Sequence, residues 1–180
     1  MAHEATLLRQ GKIGVLPTDT VYGVVASALD PVALERVYRV KSRMPVKPPI
    51  ILIASVEDLT LFGVSPTAAQ RVVLDTYWPG QVSIVLPCDD ERFAYLHRGA
   101  KSLAFRLPAL PWLRAFLSES GPLMAPSANL EGQPPATTIA EARNYFGDGV
   151  DFYIDGGVLV GRPSTIIRLN PDGSQDILRK

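Results

Sequence analysis

Short apolar runs alternate with helical segments along this chain, and this alternation limits the possible folds more than any other feature. Proline, glycine or polar residues interrupt each run, as in the break at 18–20 between the runs at 12–17 and 21–29. Runs of this length match buried strands and are far too short to cross a bilayer. The alternation therefore predicts one α/β domain over residues 1–180, built on a twisted mixed sheet with helices packed on it.

The individual elements follow from the same pattern and from helix-end signals. Asp30-Pro31 opens a helix, because Asp accepts free N–H groups and proline fits the first turn. Thr138 and Glu141 predict a capping box, and Gly11 can end the first helix in the left-handed conformation. The predicted helices are 3–10, 30–42, 65–77, 110–118 and 138–146. The predicted strands are 12–17, 21–29, 50–54, 81–86, 102–107, 123–125, 152–155, 165–169 and 175–178.

The charge balance narrows the class of protein further. Lysine and arginine number 18, aspartate and glutamate number 18, and 47% of the residues are hydrophobic. These values exclude a disordered chain and argue against a surface made mainly to bind nucleic-acid phosphates. The one cysteine, Cys88, allows no intramolecular disulfide, and the N-terminus lacks the features of a signal peptide. We therefore expect a cytoplasmic protein with no membrane partner.

The segment PTDTVYG at 17–23 places two hydroxyls and a carboxylate between two buried runs. Loops at strand ends are the usual place for a site in α/β folds, and Gly23 allows close approach of the backbone. The alternative is a plain turn, in which Thr18, Asp19 and Thr20 bond only to nearby backbone groups. Spacing alone favours the turn.

A cluster of cations lies near the end of the helix predicted at 30–42. Its arginines would form one stripe, whereas Lys41 leans toward the apolar side and would emerge close to the core. Cations stabilise a helix C-terminus, so the cluster has a structural explanation; the functional alternative is an anion site for polyphosphate. The cluster comprises Arg36, Arg39, Lys41, Arg43 and Lys47.

Four further residues carry polar side chains at or inside apolar runs. Ser127 and Asn129 lie two residues apart after one run, so they could face one pocket or simply form a turn. Ser164 precedes another run and is a weak signal by itself. Arg106 stands inside an apolar run, where a cation needs a buried partner. That partner is either a bound carboxylate or a structural salt bridge.

Several familiar catalytic motifs are absent from the sequence. It contains neither a GxxxxGK[ST] nor a GxGxxG loop, and His3 and His97 lack metal-ligand spacing. We interpret His97 as a surface residue and Cys88 as a structural one. No metal site built from side chains is predicted.

Taken together, these segments resemble the YrdC/TsaC family of threonylcarbamoyl-AMP synthases, in its short single-domain form. One matching motif would be a weak signal, but here six follow the family's order and cover roughly residues 5 to 170. The six are PTDTVYG at 17–23, KSR at 41–43, WPGQVS at 78–83, LAFRLP at 103–108, SAN at 127–129 and STII at 164–167.

The resemblance implies an open, twisted mixed sheet with flanking helices and a large, positively lined concave face. It also implies a reaction in which threonine and bicarbonate or CO2 give an N-carboxy intermediate. ATP then adenylates this intermediate to threonylcarbamoyl-AMP and pyrophosphate, with Mg²⁺ carried by the nucleotide. Downstream tRNA threonylcarbamoyl-transfer proteins would use the product to modify tRNA next to the anticodon.

Residue roles follow from the same resemblance, position by position. Lys41 and Arg43 would be catalytic, because they would neutralise the phosphates and the leaving pyrophosphate. As an exposed charge at a helix end, Lys41 should be replaceable by alanine with loss of synthesis but without loss of the fold. The ATP-binding set would be Arg43, Lys47, Ser102, Ser127, Asn129 and Pro135. The threonine-binding set would be Thr20, Arg106, Ala125 and Ser164, with Arg106 paired to the threonine carboxylate.

Departures from the family pattern leave strict threonine selectivity open. Met44 stands where proline is usual, Pro49 where leucine is usual, and Leu52 where many longer members have histidine. One alternative is a paralogue with another carbamoyl acceptor, although such domains belong to much longer chains. A second is an RNA-binding module, against which the zero net charge and the lack of an RRM or KH pattern both argue. Weak RNA binding remains an expectation for the basic face.

Overall fold

The computed structural model describes residues 1–42 and 48–180, which form a mixed sheet flanked by helices. The helices are α1 (Ala2–Arg9), α2 (Pro31–Val40), α3 (Ala68–Tyr77), α4 (Ala94–His97), α5 (Pro111–Ser120) and α6 (Ile139–Phe146). The strands are β1 (Gly14–Leu16), β2 (Gly23–Ser27), β3 (Ile50–Leu52), β4 (Val82–Pro87), β5 (Ser102–Arg106), β6 (Leu123–Met124), β7 (Phe152–Tyr153), β8 (Thr165–Leu169) and β9 (Gln175–Arg179). The predicted α/β class, an open mixed sheet with flanking helices, is confirmed.

The strand order brings one end of β3, β4, β5 and β8 together. In the described residues the order is β7-β1-β2-β6-β3-β5-β4-β8-β9. β5 is parallel to β3 and antiparallel to β4, and β4 is parallel to β8. The register pairs Leu52 with Arg106 and Val82 with Thr165. The C-terminal end of β5 therefore lies near the first residues of β4 and β8.

Neighbouring residues in each strand belong to two different apolar clusters, because successive side chains point to opposite faces. Ile51 belongs to one cluster, whereas Leu52 belongs to a second cluster formed with α1 and α5. The second cluster takes strand residues from β1, β2, β3 and β6. On β5, Phe105 belongs to the first cluster, so Arg106 points to the opposite face, the one that carries its register partner Leu52.

Most differences from the predicted elements are shifts at their ends. The strand predicted at 21–29 begins at Gly23, because the residues before it are held in a turn. α3 begins at Ala68 rather than Ser65, since Thr67 and Gln70 form a capping box. A 3-10 helix over Val56–Phe62, together with α4, was not predicted. In the described residues, no helix has the length and apolar content needed to cross a membrane.

Three local predictions meet different outcomes. Gly11 adopts a positive φ of 77° after α1, which confirms its predicted conformation. Thr138 accepts the Glu141 N–H, but the Glu141 carboxylate accepts from the Thr137 N–H, so the predicted capping box is displaced by one residue. The prediction of a surface position for His97 is wrong. His97 is 2% exposed because the end of α4 turns inward, where its Nδ1 accepts the N–H of Gly99.

Candidate active site

The turn at 18–21 is organised by a directed chain of hydroxyl hydrogen bonds. Thr18 Oγ1 donates to the carbonyl oxygen of Val21 at 2.7 Å and accepts the N–H of Thr20 at 3.1 Å. The two threonine hydroxyl oxygens lie 2.9 Å apart. Because the single Thr18 proton goes to Val21, Thr20 is the donor in the bond between the hydroxyls. Thr20 therefore offers only lone pairs to its other neighbours, including Arg106 Nη2 at 3.3 Å.

Arg106 ends β5 with a guanidinium that is almost fully buried. The residue is 4% exposed, and its Nη1 forms an ion pair with Oδ1 of Asp19, whose side chain is also 4% exposed. Burial lowers the pKa of the Arg106 guanidinium, and the Asp19 carboxylate opposes that effect. Arg106 Nε is buried and has no hydrogen-bond partner among the described residues. The structural salt bridge is therefore present, but it satisfies only part of the guanidinium.

A cavity of about 280 Å³ opens beside Thr20 and Arg106. Its walls come from the turn at 18–21, the end of β5, the loop after β6 and the residues before β8. A volume near 300 Å³ is the lower end of the usual range for a small-molecule site. Its polar side chains are Thr20, Arg106, Ser127, Ser164 and Arg179.

Arg179 is a cavity residue that the sequence analysis missed. It projects from β9, and its Nη2 donates to the Ser164 carbonyl oxygen at 2.8 Å and to Ser164 Oγ at 3.3 Å. Ser164 Oγ also lies 2.8 Å from Ser83 Oγ. Burial lowers the pKa of Arg179. The argument that singled out Arg106 does not identify Arg179, because its strand neighbours Ile177 and Leu178 are exposed.

Lys41 is buried beneath the loop that carries Ser127 and Asn129. It caps α2, is 3% exposed, and donates hydrogen bonds to the carbonyl oxygens of Ser127 and Asn129. The prediction that Lys41 emerges close to the core is confirmed. The prediction of an exposed charge is wrong, because Lys41 lies under this loop and its ammonium donates to two backbone carbonyl oxygens.

The structure brings five of the proposed ligand residues to one cavity. They are Thr20, Arg106, Ala125, Ser127 and Ser164. The Ala125 N–H already donates to the Ile50 carbonyl oxygen at 2.9 Å, so a backbone contact from Ala125 to a ligand has to use its own carbonyl oxygen. Arg43 and Lys47, and the departure at Met44, lie outside the described residues.

Three proposed ATP-binding residues do not line this cavity, namely Ser102, Asn129 and Pro135. Ser127 Oγ donates to Asn129 Oδ1 at 2.6 Å, and Asn129 Nδ2 donates to carbonyl oxygens of its own loop, so the turn interpretation also holds. Pro135 follows in the same loop without reaching the cavity wall. Ser102 faces the same side of β5 as Arg106 but lies four residues away, in a depression of about 210 Å³ shared with Lys101 and Arg168.

Other candidates have structural partners away from the cavity. Arg36 Nη1 lies 2.5 Å from Asp151 Oδ2, so this arginine of the basic cluster forms an ion pair away from the cavity. Cys88 is buried, its thiol donates to the Phe62 carbonyl oxygen, and burial raises its thiol pKa. A protonated, enclosed thiol suits the structural role predicted for it. Within residues 1–42 and 48–180, no group of three or more His, Cys, Asp or Glu side chains could hold a metal ion.

Comparison with known proteins matches this chain and its fold to one family. The Sua5/YciO/YrdC family model, described as "Telomere recombination", matches residues 6–180. A curated threonylcarbamoyl-AMP synthase from Bacillus subtilis (strain 168) is 34% identical over 178 residues, covering 96% of this chain and 51% of the relative. One from Chromohalobacter salexigens is 35% identical over 169 residues, covering 92% of this chain and 90% of the relative.

A solved structure of a relative has a similar backbone fold. P. abyssi Sua5, in complex with L-threonine, has a TM-score of 0.90 and 33% sequence identity, covering 99% of this chain and 53% of that one. The chain therefore spans about half the length of the B. subtilis and P. abyssi relatives.

Proposed function

Because this chain belongs to the Sua5/YciO/YrdC family, we propose that it makes threonylcarbamoyl-AMP and pyrophosphate from L-threonine, bicarbonate or CO2, and ATP. The observation that carries the proposal is the convergence of Arg106, Thr20 and Ser164 on one cavity, in a fold shared with a threonine-bound relative. The reaction is proposed to occur in the cytoplasm, with downstream threonylcarbamoyl-transfer proteins placing the product on tRNA next to the anticodon.

The cavity supplies complementary partners for the two ends of an α-amino acid. Arg106 is a buried cation that is only partly paired, and a carboxylate is the ligand such a guanidinium favours. Thr20 offers lone pairs, so it suits a ligand N–H or O–H donor rather than a second acceptor. The Ser164 hydroxyl and the Ala125 carbonyl oxygen would complete the contacts. This division of donors and acceptors supports threonine binding in one orientation.

The nucleotide would occupy the open sheet face beyond the cavity. Lys41 and Arg43 would neutralise charge on the triphosphate and on the departing pyrophosphate. Lys41 would also hold the loop of Ser127 and Asn129, since it bonds to both of their carbonyl groups. The remaining proposed contacts rest on the family resemblance: Lys47, Ser102 and Pro135.

Magnesium would reach the site on the nucleotide. Carboxylates and phosphates are the ligands that Mg²⁺ prefers, and it commonly uses substrate phosphates with few protein groups. The cavity wall offers hydroxyls and arginines in place of a carboxylate cluster. When bound, Mg²⁺ would shield charge on the triphosphate, while the protein's own side chains would bind and orient ATP and threonine.

The direct test is synthesis with the purified chain. The protein is incubated with ATP, bicarbonate and labelled threonine, and both pyrophosphate and threonylcarbamoyl-AMP are measured. We expect both products with threonine, and much less product with serine or valine, which lack the methyl or the hydroxyl group. Product from other amino acids but not threonine would contradict the substrate assignment. Tight binding of RNA without synthesis or ATP binding would favour the RNA-binding alternative.

A further inference from the structure

Asp19 is fixed independently of any ligand, although the proposed function gives it no role. Its Oδ2 accepts the N–H of Ala109 at 3.0 Å, and its backbone carbonyl oxygen accepts a hydrogen bond from the side-chain amide of Gln81. It also lies between Thr18 and Thr20, whose hydroxyls hold the turn closed. The carboxylate is therefore held through its Oδ2 and the backbone of Asp19 through its carbonyl oxygen, both without any contribution from Arg106.

The orientation of Arg106 depends on few contacts, and Asp19 makes the charged one. Nη1 pairs with Asp19 Oδ1, Nη2 contacts Thr20 Oγ1 at 3.3 Å, and Nε has no partner among the described residues. A bond between ionised groups is roughly twice as strong as a neutral one. Without Asp19, the contact of Nη2 with Thr20 would be left to oppose rotation of the guanidinium.

We propose that Asp19 is a positioning residue that fixes the Arg106 guanidinium so that its Nη2 side faces Thr20 and the amino-acid carboxylate. This inference rests on the proposed function, because it assigns a purpose to Arg106 as the carboxylate-binding group. Asp19 holds the Nη1 side of the guanidinium, and Thr20, which contacts Nη2, lines the cavity. Asp19 thus acts through Arg106 and does not itself need to touch the substrate.

The test replaces Asp19 by asparagine, which keeps the shape and removes the charge. Asp19→Asn is expected to raise the KM for threonine roughly 10- to 100-fold, the factor that corresponds to one charged hydrogen bond. The KM for ATP should change by less than about twofold. The matched control is Asp151→Asn, because Asp151 also pairs with an arginine, Arg36, and accepts a backbone N–H, from Ile13, away from the cavity. The control should leave both KM values unchanged.

A second measurement does not depend on turnover. Nitrogen NMR of the Arg106 side chain, assigned by comparison with Arg106→Lys, reports rotation about the Nε–Cζ bond. Slow rotation in the wild-type chain and faster rotation in Asp19→Asn would support positioning. Free rotation in the wild-type chain would overturn it, and this result is available even if Asp19→Asn does not fold.

The outcomes separate this inference from the proposed function. If the wild-type chain makes no threonylcarbamoyl-AMP, the proposed function fails, and the NMR result still decides whether Asp19 positions Arg106. If synthesis occurs but Asp19→Asn has an unchanged or lower KM for threonine, the positioning role is wrong. Equal losses for threonine and ATP would also overturn it, because they would indicate general disruption of the site.

Discussion

Lys41 Nζ donates a hydrogen bond of 2.6 Å to the backbone carbonyl oxygen of Asn129, 88 residues further along the chain. A second bond runs from the same nitrogen to the carbonyl oxygen of Ser127. The two bonds join the end of α2 to the loop after β6, so one side chain connects the basic cluster to the wall of the cavity. A cation in this position contributes to the fold as well as to the charge of the site.

Replacing Lys41 by methionine should therefore destabilise the protein. We expect the free energy of unfolding to fall by about 2–3 kcal/mol, because two part-buried carbonyl oxygens lose a charged donor. Urea denaturation measures the change. Lys12→Met is the control, since Lys12 is about half exposed and lies 3.8 Å from its partner Asp151. The control should lose less than about 0.5 kcal/mol, and an equally small loss for Lys41→Met would contradict the prediction.

Arg106→Lys should weaken threonine binding while keeping a positive charge. An ammonium cannot reproduce the planar donor pattern that reaches both Asp19 and Thr20. We expect threonine affinity, measured by calorimetry, to fall on the order of 100-fold, equivalent to about 3 kcal/mol. Arg36→Lys, at a pair away from the cavity, should bind threonine as the wild-type chain does. Similar losses in both variants would point to a general effect on folding.

Lowering the pH should reduce the free energy of unfolding, because Asp151 becomes protonated. Burial raises the pKa of this carboxyl group, but the hydrogen bonds from Arg36 and the Ile13 N–H outweigh burial, so the pKa lies below its usual 3.8. A lowered native pKa adds stability above the unfolded value and loses it as the pH falls through the native value. The gap in unfolding free energy between wild type and Asp151→Asn should be constant above about pH 5.

That gap should then shrink as the pH falls below 3.8, the unperturbed value for the side chain. Urea denaturation between pH 3 and pH 7 follows it. A gap that grows on acidification would show that the native state does not favour the ionised form of Asp151.

Tyr22→Phe should loosen the segment at 156–157, which hydrogen bonds to the Tyr22 hydroxyl. The Tyr22 hydroxyl donates to the Gly157 carbonyl oxygen and accepts the Gly156 N–H, each at 2.8 Å. Loss of both bonds should lower the free energy of unfolding by about 1–2 kcal/mol and speed hydrogen exchange at the Gly156 amide. Tyr145→Phe, which removes one exposed bond to the Pro134 carbonyl oxygen, should leave that amide protected.

Sequence reasoning succeeds here where a local rule decides the structure. Asp30 accepts the N–H groups of Val32 and Ala33, as its place before Pro31 predicts, and β8 spans the predicted residues. The need of Arg106 for a buried partner also follows from the chain alone, because an unpaired cation is costly inside an apolar strand. The structure supplies that partner as Asp19.

The missed features depend on residues far apart in the chain. The burial of Lys41 requires the loop at 127–129 to fold over it, and helix periodicity carries no information about that loop. Arg179 reaches the cavity because β9 pairs with β8, an antiparallel pairing that the run of 175–178 does not reveal. His97 turns inward at the end of α4, a helix too short to be recognised from a hydrophobic period.

The cavity walls come from Thr20 near one end of the chain and Arg179 near the other. No single hairpin or helix pair contains the site, so it can form only after the long-range pairings of β3, β4, β5 and β8 are complete. Such non-local contacts tend to form slowly during folding. Ligand affinity would therefore recover later than helix content during refolding, and partial opening of the sheet would abolish binding while much secondary structure remained.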